Sequence, residues 1–125
     1  MNKKIVGITA VLGGLAVVLG AFGAHALKQK LGIEELKNFE TGVRYQMYHV
    51  LAILTLNNFV QISQKIKNRV AILFITGILF FSGSLYVLTA GGIDAKYIWF
   101  VTPMGGLFLI IGWLYFAWNL LTKKE

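Results

Sequence analysis

Cysteine is absent from this chain of 125 residues, which excludes disulfides, thiolate metal sites and thiol redox chemistry. Proline occurs once, and no Pro/Ser-rich linker, low-complexity tail or separate soluble module interrupts the sequence. Charge is scarce as well: 14% of residues are charged, where a soluble domain with a wetted surface carries about a quarter. No glycine-rich phosphate loop follows a strand, and neither CxxC nor CxxCH is available for redox or haem chemistry.

Apolar residues take the place of charge. They make up 57% of the chain, and the mean hydropathy is +0.70. The charges sit in islands at Lys3-Lys4, Lys28 to Arg44, Lys65 to Arg69, Asp94 to Lys96 and Lys123 to Glu125, with four long apolar runs between them. Residues 5–24, 45–62, 70–90 and 98–121 each approach the about 20 residues that a helix needs to cross about 30 Å of hydrocarbon. Strands are excluded, because lipid offers unpaired backbone groups no partner and the runs do not alternate as barrel strands do. The expectation is a single all-α domain, 1–125: a polytopic bundle of four transmembrane helices.

The amino end, with Lys3-Lys4 before an apolar stretch and Ala24-His25-Ala26 after it, has the outline of a cleavable signal peptide. Its apolar stretch exceeds the about 7–15 residues of such a segment, so a retained first span is expected. Lys3, Lys4, Lys65, Lys67, Arg69, Lys123 and Lys124 fall on the amino-terminal side, and Lys28, Lys30, Lys37, Arg44 and Lys96 on the other. The positive-inside rule therefore puts both termini in the cytoplasm. The net charge of +7 reads as topology and attraction to anionic headgroups, with no nucleic-acid partner implied.

Small residues mark packing seams. Thr9, Gly13, Ala16, Gly20, Gly23 and Ala24 fall within about 100° on a helical wheel, a stripe that lets another helix approach. Gly77, Ser84 and Gly91 repeat at seven residues in the third run, and Gly105 and Gly112 in the fourth. Between the first two runs, Ile33, Leu36, Phe39 and Val43 recur at helical spacing opposite Glu34, Glu35, Lys37 and Asn38. This is a short amphipathic helix at the membrane surface, running on towards the second span, with Glu40 and Arg44 one turn apart in pairing order.

Polar groups then gather unexpectedly where the second apolar run begins. Tyr45 and His49 share one helical face, and Arg44 and Tyr48 a neighbouring one. His49 would lie about 7 Å below Arg44, at or below the headgroup boundary. Gln46 belongs to the same turn, His25 ends the first span on that side, Ser82, Ser84 and Tyr86 occupy the third span, and Thr102-Pro103 opens the fourth. Interfacial tyrosines and a satisfied interhelical histidine would account for the cluster structurally. That is the stronger reading, although intramembrane ionisable groups are rare and also mark functional sites. Asn57, Asn58 and Gln61 read as interhelical polar contacts or as an exit to the inner interface, and Trp99, Trp113, Tyr115 and Trp118 as interface markers.

Four segments, "GAFGAHAL" (20–27), "FETGVRYQMYH" (39–49), "FFSGSLY" (80–86) and "TPMGG" with "GW" (102–106, 112–113), resemble the small membrane family of unknown function that includes YwdK- and YgdD-like bacterial proteins. The eukaryotic transmembrane protein 256 is similar. The resemblance implies a four-span protein of the bacterial cytoplasmic membrane and supplies no activity.

No catalytic set, metal site or cofactor is read from the residues. His25, His49 and Glu40 fit no HExxH-type spacing, and a Ser84–His49 pair lacks an elbow or oxyanion motif. Three functions stay open. The first is non-enzymatic binding or carriage of a small molecule or lipid group by His25, Glu40, Arg44, Tyr45, Gln46, Tyr48, His49, Ser82, Ser84, Tyr86 and Thr102. The second is an assembly role, with Gly13, Ala16, Gly20, Gly23, Gly77, Gly105 and Gly112 joining helices, protomers or a membrane-protein partner. The third is a membrane enzyme using His25 and His49. Membrane lipids are the expected surroundings, and a homo-oligomer or partner complex the expected assembly. Topology is directly testable in a chain without cysteine: Ala95→Cys should react with an impermeant thiol reagent on intact cells and Ser63→Cys should not. The reverse pattern overturns the orientation.

Overall fold

Side-chain caps fix where the helices begin. In the computed structural model, which describes residues 1–122, Asn2 accepts a hydrogen bond from the Lys4 N–H and opens α1, Lys3–His25. Ser63 accepts from the Ile66 N–H and opens α3, Gln64–Thr89, and Asp94 does the same at Lys96 for the one-turn α4, Ala95–Ile98. Helix α2, Ile33–Thr55, carries Glu34 and Glu35 in its first turn, where the helix dipole favours carboxylates. Helix α5, Val101–Thr122, has Pro103 in its first turn, where a missing N–H goes unnoticed. Gly92, at φ 69°, ends α3 in a left-handed turn open to glycine. Every regular element of the described residues is helical, and α1, α3 and α5 are long and apolar enough to cross a membrane. Lys123 and Lys124 lie outside the described residues.

The region between α1 and α3 differs from expectation. The amphipathic segment does run on into the second apolar run, as one continuous helix, α2, but that helix stops at Thr55 rather than near residue 62. Leu56–Asn58 tightens to a 3₁₀ turn and the chain then leaves the helix. Asn57-Asn58 explains the stop, since asparagine side chains compete for backbone hydrogen bonds and favour turns over helix interiors. Asn57, Asn58 and Gln61 are accordingly exposed, not interhelical.

Helices α1 and α3 begin at the same end of the bundle. The Met1 amino group donates to Gln64 Oε1, and the Asn2 N–H donates to Asn68 Oδ1 at 3.1 Å. Arg69 near the start of α3 reaches Tyr115 near the end of α5 at 3.2 Å, so α5 runs antiparallel to α3. The helices form a row in which α1 packs on α2, α2 on α3, and α3 most extensively on α5. Ile53, Leu56, Val70, Ala71, Phe74 and Leu109 form the main buried cluster between the last three of these.

Glycine sets the spacing of each seam. On α1, Thr9 and Ala16 are fully buried and Gly13 faces Val50, while Ala24 is exposed. A Cβ on Gly23 would lie 2.9 Å from Phe39, but one on Gly20 would sit at an ordinary 3.5 Å from Val43. Gly20 is therefore not a point of forced approach. The tightest crossing is between α3 and α5, where a Cβ on Gly105 would overlap the Phe81 backbone nitrogen and lie 2.7 Å from the Phe80 carbonyl carbon. Gly77 faces Leu109 across the same seam, and a Cβ on Gly112 would be 2.7 Å from the Phe74 ring. Gly91 lies beyond α3 and joins no seam.

A side chain can rotate away from an added methyl, but a helix backbone cannot. Gly105→Ala should therefore lower stability in detergent by about 1–3 kcal/mol, and Gly20→Ala should leave it within about 0.5 kcal/mol. Equal melting temperatures for the two variants would contradict the crossing described here.

Candidate functional site

The register of α1 against α2 fixes how deep each polar residue lies. Gly13 faces Val50, Gly20 faces Val43 and Gly23 faces Phe39. His25 therefore falls level with residues 37–38 of α2. His49 is then eleven residues further on, about 17 Å along the axis at 1.5 Å per residue. His25 is exposed, and no hydrogen bond joins it to His49, Ser84 or Thr102. The single site expected from His25, Tyr45, His49, Ser84 and Thr102 does not form. Only a second span starting at Tyr45 would bring these residues to one depth. Because α2 starts at Ile33, Tyr45 and His49 lie more than three turns inside it, at mid-bundle rather than at the headgroup boundary.

The polar residues instead make three separate arrangements. The first ties α1, α2 and α3 together. Gln46, which is 3% exposed, donates through Nε2 to the Leu12 carbonyl of α1 at 2.7 Å and accepts from the Tyr86 hydroxyl at 2.6 Å. A carbonyl on one side and a phenol donor on the other fix which way the amide points. Ser82 donates to the Gly42 carbonyl at 2.6 Å. This contact needs Gly42, since a Cβ there would lie 2.9 Å from the Tyr86 ring and 3.4 Å from the Ser82 carbonyl oxygen. The second arrangement joins the hydroxyls of Ser84 and Thr102 across α3 and α5.

The third is centred on His49. Its Nε2 accepts from the Trp113 indole N–H at 3.0 Å, and its Nδ1 lies 2.7 Å from the Tyr45 carbonyl. Indole only donates, so Nε2 carries the lone pair and Nδ1–H donates to Tyr45. The imidazole is thereby held as one neutral tautomer with both nitrogens occupied. Phe74 and Trp113 meet its ring edge-on, at centroid distances of 5.1 and 5.8 Å.

Beside this ring a groove of about 380 Å³ opens between α2, α3 and α5, lined by Tyr45, His49, Phe81, Gly106, Leu109, Ile110 and Trp113. Gly106 creates the recess. A Cβ there would touch Phe81 only at 3.7 Å, so the missing side chain leaves volume rather than permitting a close crossing. Tyr45 packs its ring on Phe81 at 5.0 Å and is 40% exposed. Its hydroxyl makes no hydrogen bond among the described residues.

The remaining candidates stay at the periphery. Glu40, Arg44 and Tyr48 are exposed, and Arg44 donates to Thr41 Oγ1 at 3.1 Å instead of pairing with Glu40. Two participants escaped the sequence reading. Trp113 looked like an interface marker and proves to be the partner of His49. Gly42 carries a signal of its own, since a glycine inside a helix costs about 1 kcal/mol against alanine and calls for a packing reason.

The polar tie makes a stability prediction. Gln46→Leu strands the Tyr86 hydroxyl, and Tyr86→Phe strands Gln46 Oε1; each should cost about 1–3 kcal/mol. The double variant should lose clearly less than the sum, because the second change removes the stranded partner. Additive losses in detergent unfolding would mean that the two side chains do not share a bond.

Comparison with known proteins adds the family. The model described as "Protein of unknown function (DUF423)" matches residues 19–106, from the end of α1 to the start of α5. A UPF0382 membrane protein of Haemophilus influenzae is 37% identical over 100% of this chain and 99% of its own length. The UPF0382 membrane protein SSP2132 of Staphylococcus saprophyticus is 40% identical over 90% of this chain and 92% of its own. The UPF0382 inner membrane protein YgdD of Escherichia coli K12 is 41% identical over 83% of this chain and 79% of its own. No solved structure matches. With relatives along its whole length and three helices able to cross a bilayer, the chain is an all-α transmembrane protein and belongs to the DUF423 family of unknown function.

Proposed function

We propose that the chain is a four-span protein of the bacterial cytoplasmic membrane, with both termini in the cytoplasm. On this reading it binds, without covalent chemistry, the apolar part of a small amphiphile in the groove beside His49. The four-span count is supported by chain direction. Helices α1 and α3 start at one end of the bundle, so the connection between them has to return, and α2 is the helix that runs back between them. The first turns of α2, with Glu34 and Glu35, then serve as the interfacial segment. The bias of basic residues supports the orientation, and the names of the bacterial relatives support the membrane.

The groove carries the functional reading. It combines an apolar recess at Gly106, a floor of neutral and fully hydrogen-bonded His49, and a Tyr45 hydroxyl still able to bond. Pockets for small molecules are mostly apolar with a few placed polar groups, and this one faces a solvent of lipid chains. A hydrocarbon segment fills the recess, and a polar substituent meets Tyr45.

An assembly role is the second reading. Gln46, Ser82, Ser84, Tyr86 and Thr102 all bond within the bundle, and Val11, Leu15, Val17 and Val18 leave an exposed apolar face on α1. The enzyme reading gains nothing from the geometry, since His49 has both nitrogens occupied and His25 lies about 17 Å away along the axis.

Native mass spectrometry from mild detergent separates the first two readings. Wild-type protein should retain an amphiphile that Gly106→Phe loses, with little change in melting temperature because the recess has room for the ring. Equal retention by both proteins rejects the groove. A defined oligomer without any adduct supports assembly.

A further inference from the structure

A second groove, of about 400 Å³, flanks the other side of the α3–α5 seam, lined by Arg69, Ile72, Leu73, Ile111 and Tyr115. Its polarity is graded along the helices. Arg69 and Tyr115 face each other at one end, with Arg69 Nη1 donating to the Tyr115 hydroxyl at 3.2 Å. Ile72 and Leu73 lie one turn further into the bundle and, with Ile111, form an apolar trough. Arg69 is exposed, and a guanidinium has five N–H donors, so several remain directed outward. The Tyr115 oxygen accepts from Arg69, which leaves its own proton free to donate.

Charge is distributed unevenly around this groove. The Met1 amino group, Lys3, Lys4 and Lys65 belong to the same end of the bundle, where α1 and α3 begin. All acidic side chains of the described residues, Glu34, Glu35, Glu40 and Asp94, belong to the opposite end. Lys67 is not available here: it is 3% exposed and donates to the Asn57 carbonyl at 3.4 Å.

We propose that this groove is a binding site for one anionic phospholipid. Its phosphate takes two or more N–H groups of Arg69 and the hydroxyl proton of Tyr115, and one acyl chain lies along Ile72, Leu73 and Ile111. Charge-assisted bonds from a guanidinium to phosphate are the strong class of hydrogen bond, and basic pockets between spans on the cytoplasmic side are recurrent anionic-lipid sites. A zwitterionic headgroup fits less well, because its cation meets an end of the bundle that already carries the Met1 amino group, Lys3 and Lys4. The site is independent of the groove at Gly106, which lies across the seam.

The test uses the full chain in mild detergent, titrated with phosphatidylglycerol or phosphatidylcholine and read by native mass spectrometry and thermal unfolding. Phosphatidylglycerol should be retained preferentially and raise the melting temperature. Arg69→Gln should reduce that retention about fivefold, the worth of one cation near a membrane surface. Lys65→Gln, which removes the same charge outside the groove, should leave it intact, as should Gly106→Phe. If Arg69→Gln fails to fold, Tyr115→Phe keeps the charge and should still weaken retention. Equal retention of the two lipids, an equal loss in Lys65→Gln, or unchanged retention in the groove variants overturns the site. Equal stabilisation by inorganic phosphate alone overturns the lipid in favour of a simple anion.

Discussion

Backbone meets backbone at Gly105, and much of the molecule is arranged around that crossing. No side chain separates α5 from Phe80 and Phe81 of α3 there, so the two helices lie close enough for Ser84 to reach Thr102 and for Arg69 to reach Tyr115. The same proximity brings Trp113 within reach of His49 on α2, a helix that packs on α3 rather than on α5. Both grooves flank this seam, since helices that touch along a narrow line diverge on either side of it. In a bilayer, hydrophobic burial does not drive helices together, and close packing of small residues supplies much of what holds them.

A second constraint acts on the polar side chains. Within hydrocarbon a donor or acceptor without a partner costs free energy, and lipid offers none. The bundle meets this by aiming side chains at helix carbonyls, which have a second lone pair: Gln46 to Leu12, Ser82 to Gly42. No buried side-chain nitrogen or oxygen among the described residues lacks a partner. The net worth of such a bond is modest, about 0.6 kcal/mol on average in a membrane and below the cost of stranding one partner, so its contribution lies as much in fixing rotation and register as in stability.

Element type was legible in the sequence because the apolar runs have the length of a bilayer and do not alternate as strands do. The stripe on α1 was legible for the same reason, as a periodicity of small residues. What escaped was non-local. The change from polar to apolar at Tyr45 suggested a span beginning there, whereas the helix is continuous from Ile33, and the displacement of twelve residues carried the whole candidate site to the wrong depth. Gln46, Ser82 and Tyr86 could be identified as intramembrane polar groups, but their pairing depends on the α2–α3 register. Gly105 and Gly20 look alike in sequence; only the crossing geometry makes one indispensable and the other a spacer.

The order of the row follows from which helix tolerates lipid least. Helices α1, α3 and α5 carry apolar stretches long enough to cross a membrane, and α2, with Arg44, Gln46 and His49, does not have one. It is placed between α1 and α3, where Gln46 and His49 find partners on neighbouring helices. Arg44 remains on the outer face and turns back towards Thr41, one turn nearer the helix start, which is the direction that returns its charge to water. An α2 at either end of the row would leave one of those polar flanks against hydrocarbon. The stability of the bundle and the groove beside His49 thus have a common origin: a polar helix enclosed by apolar ones, with Tyr45 at the edge where the enclosure is incomplete.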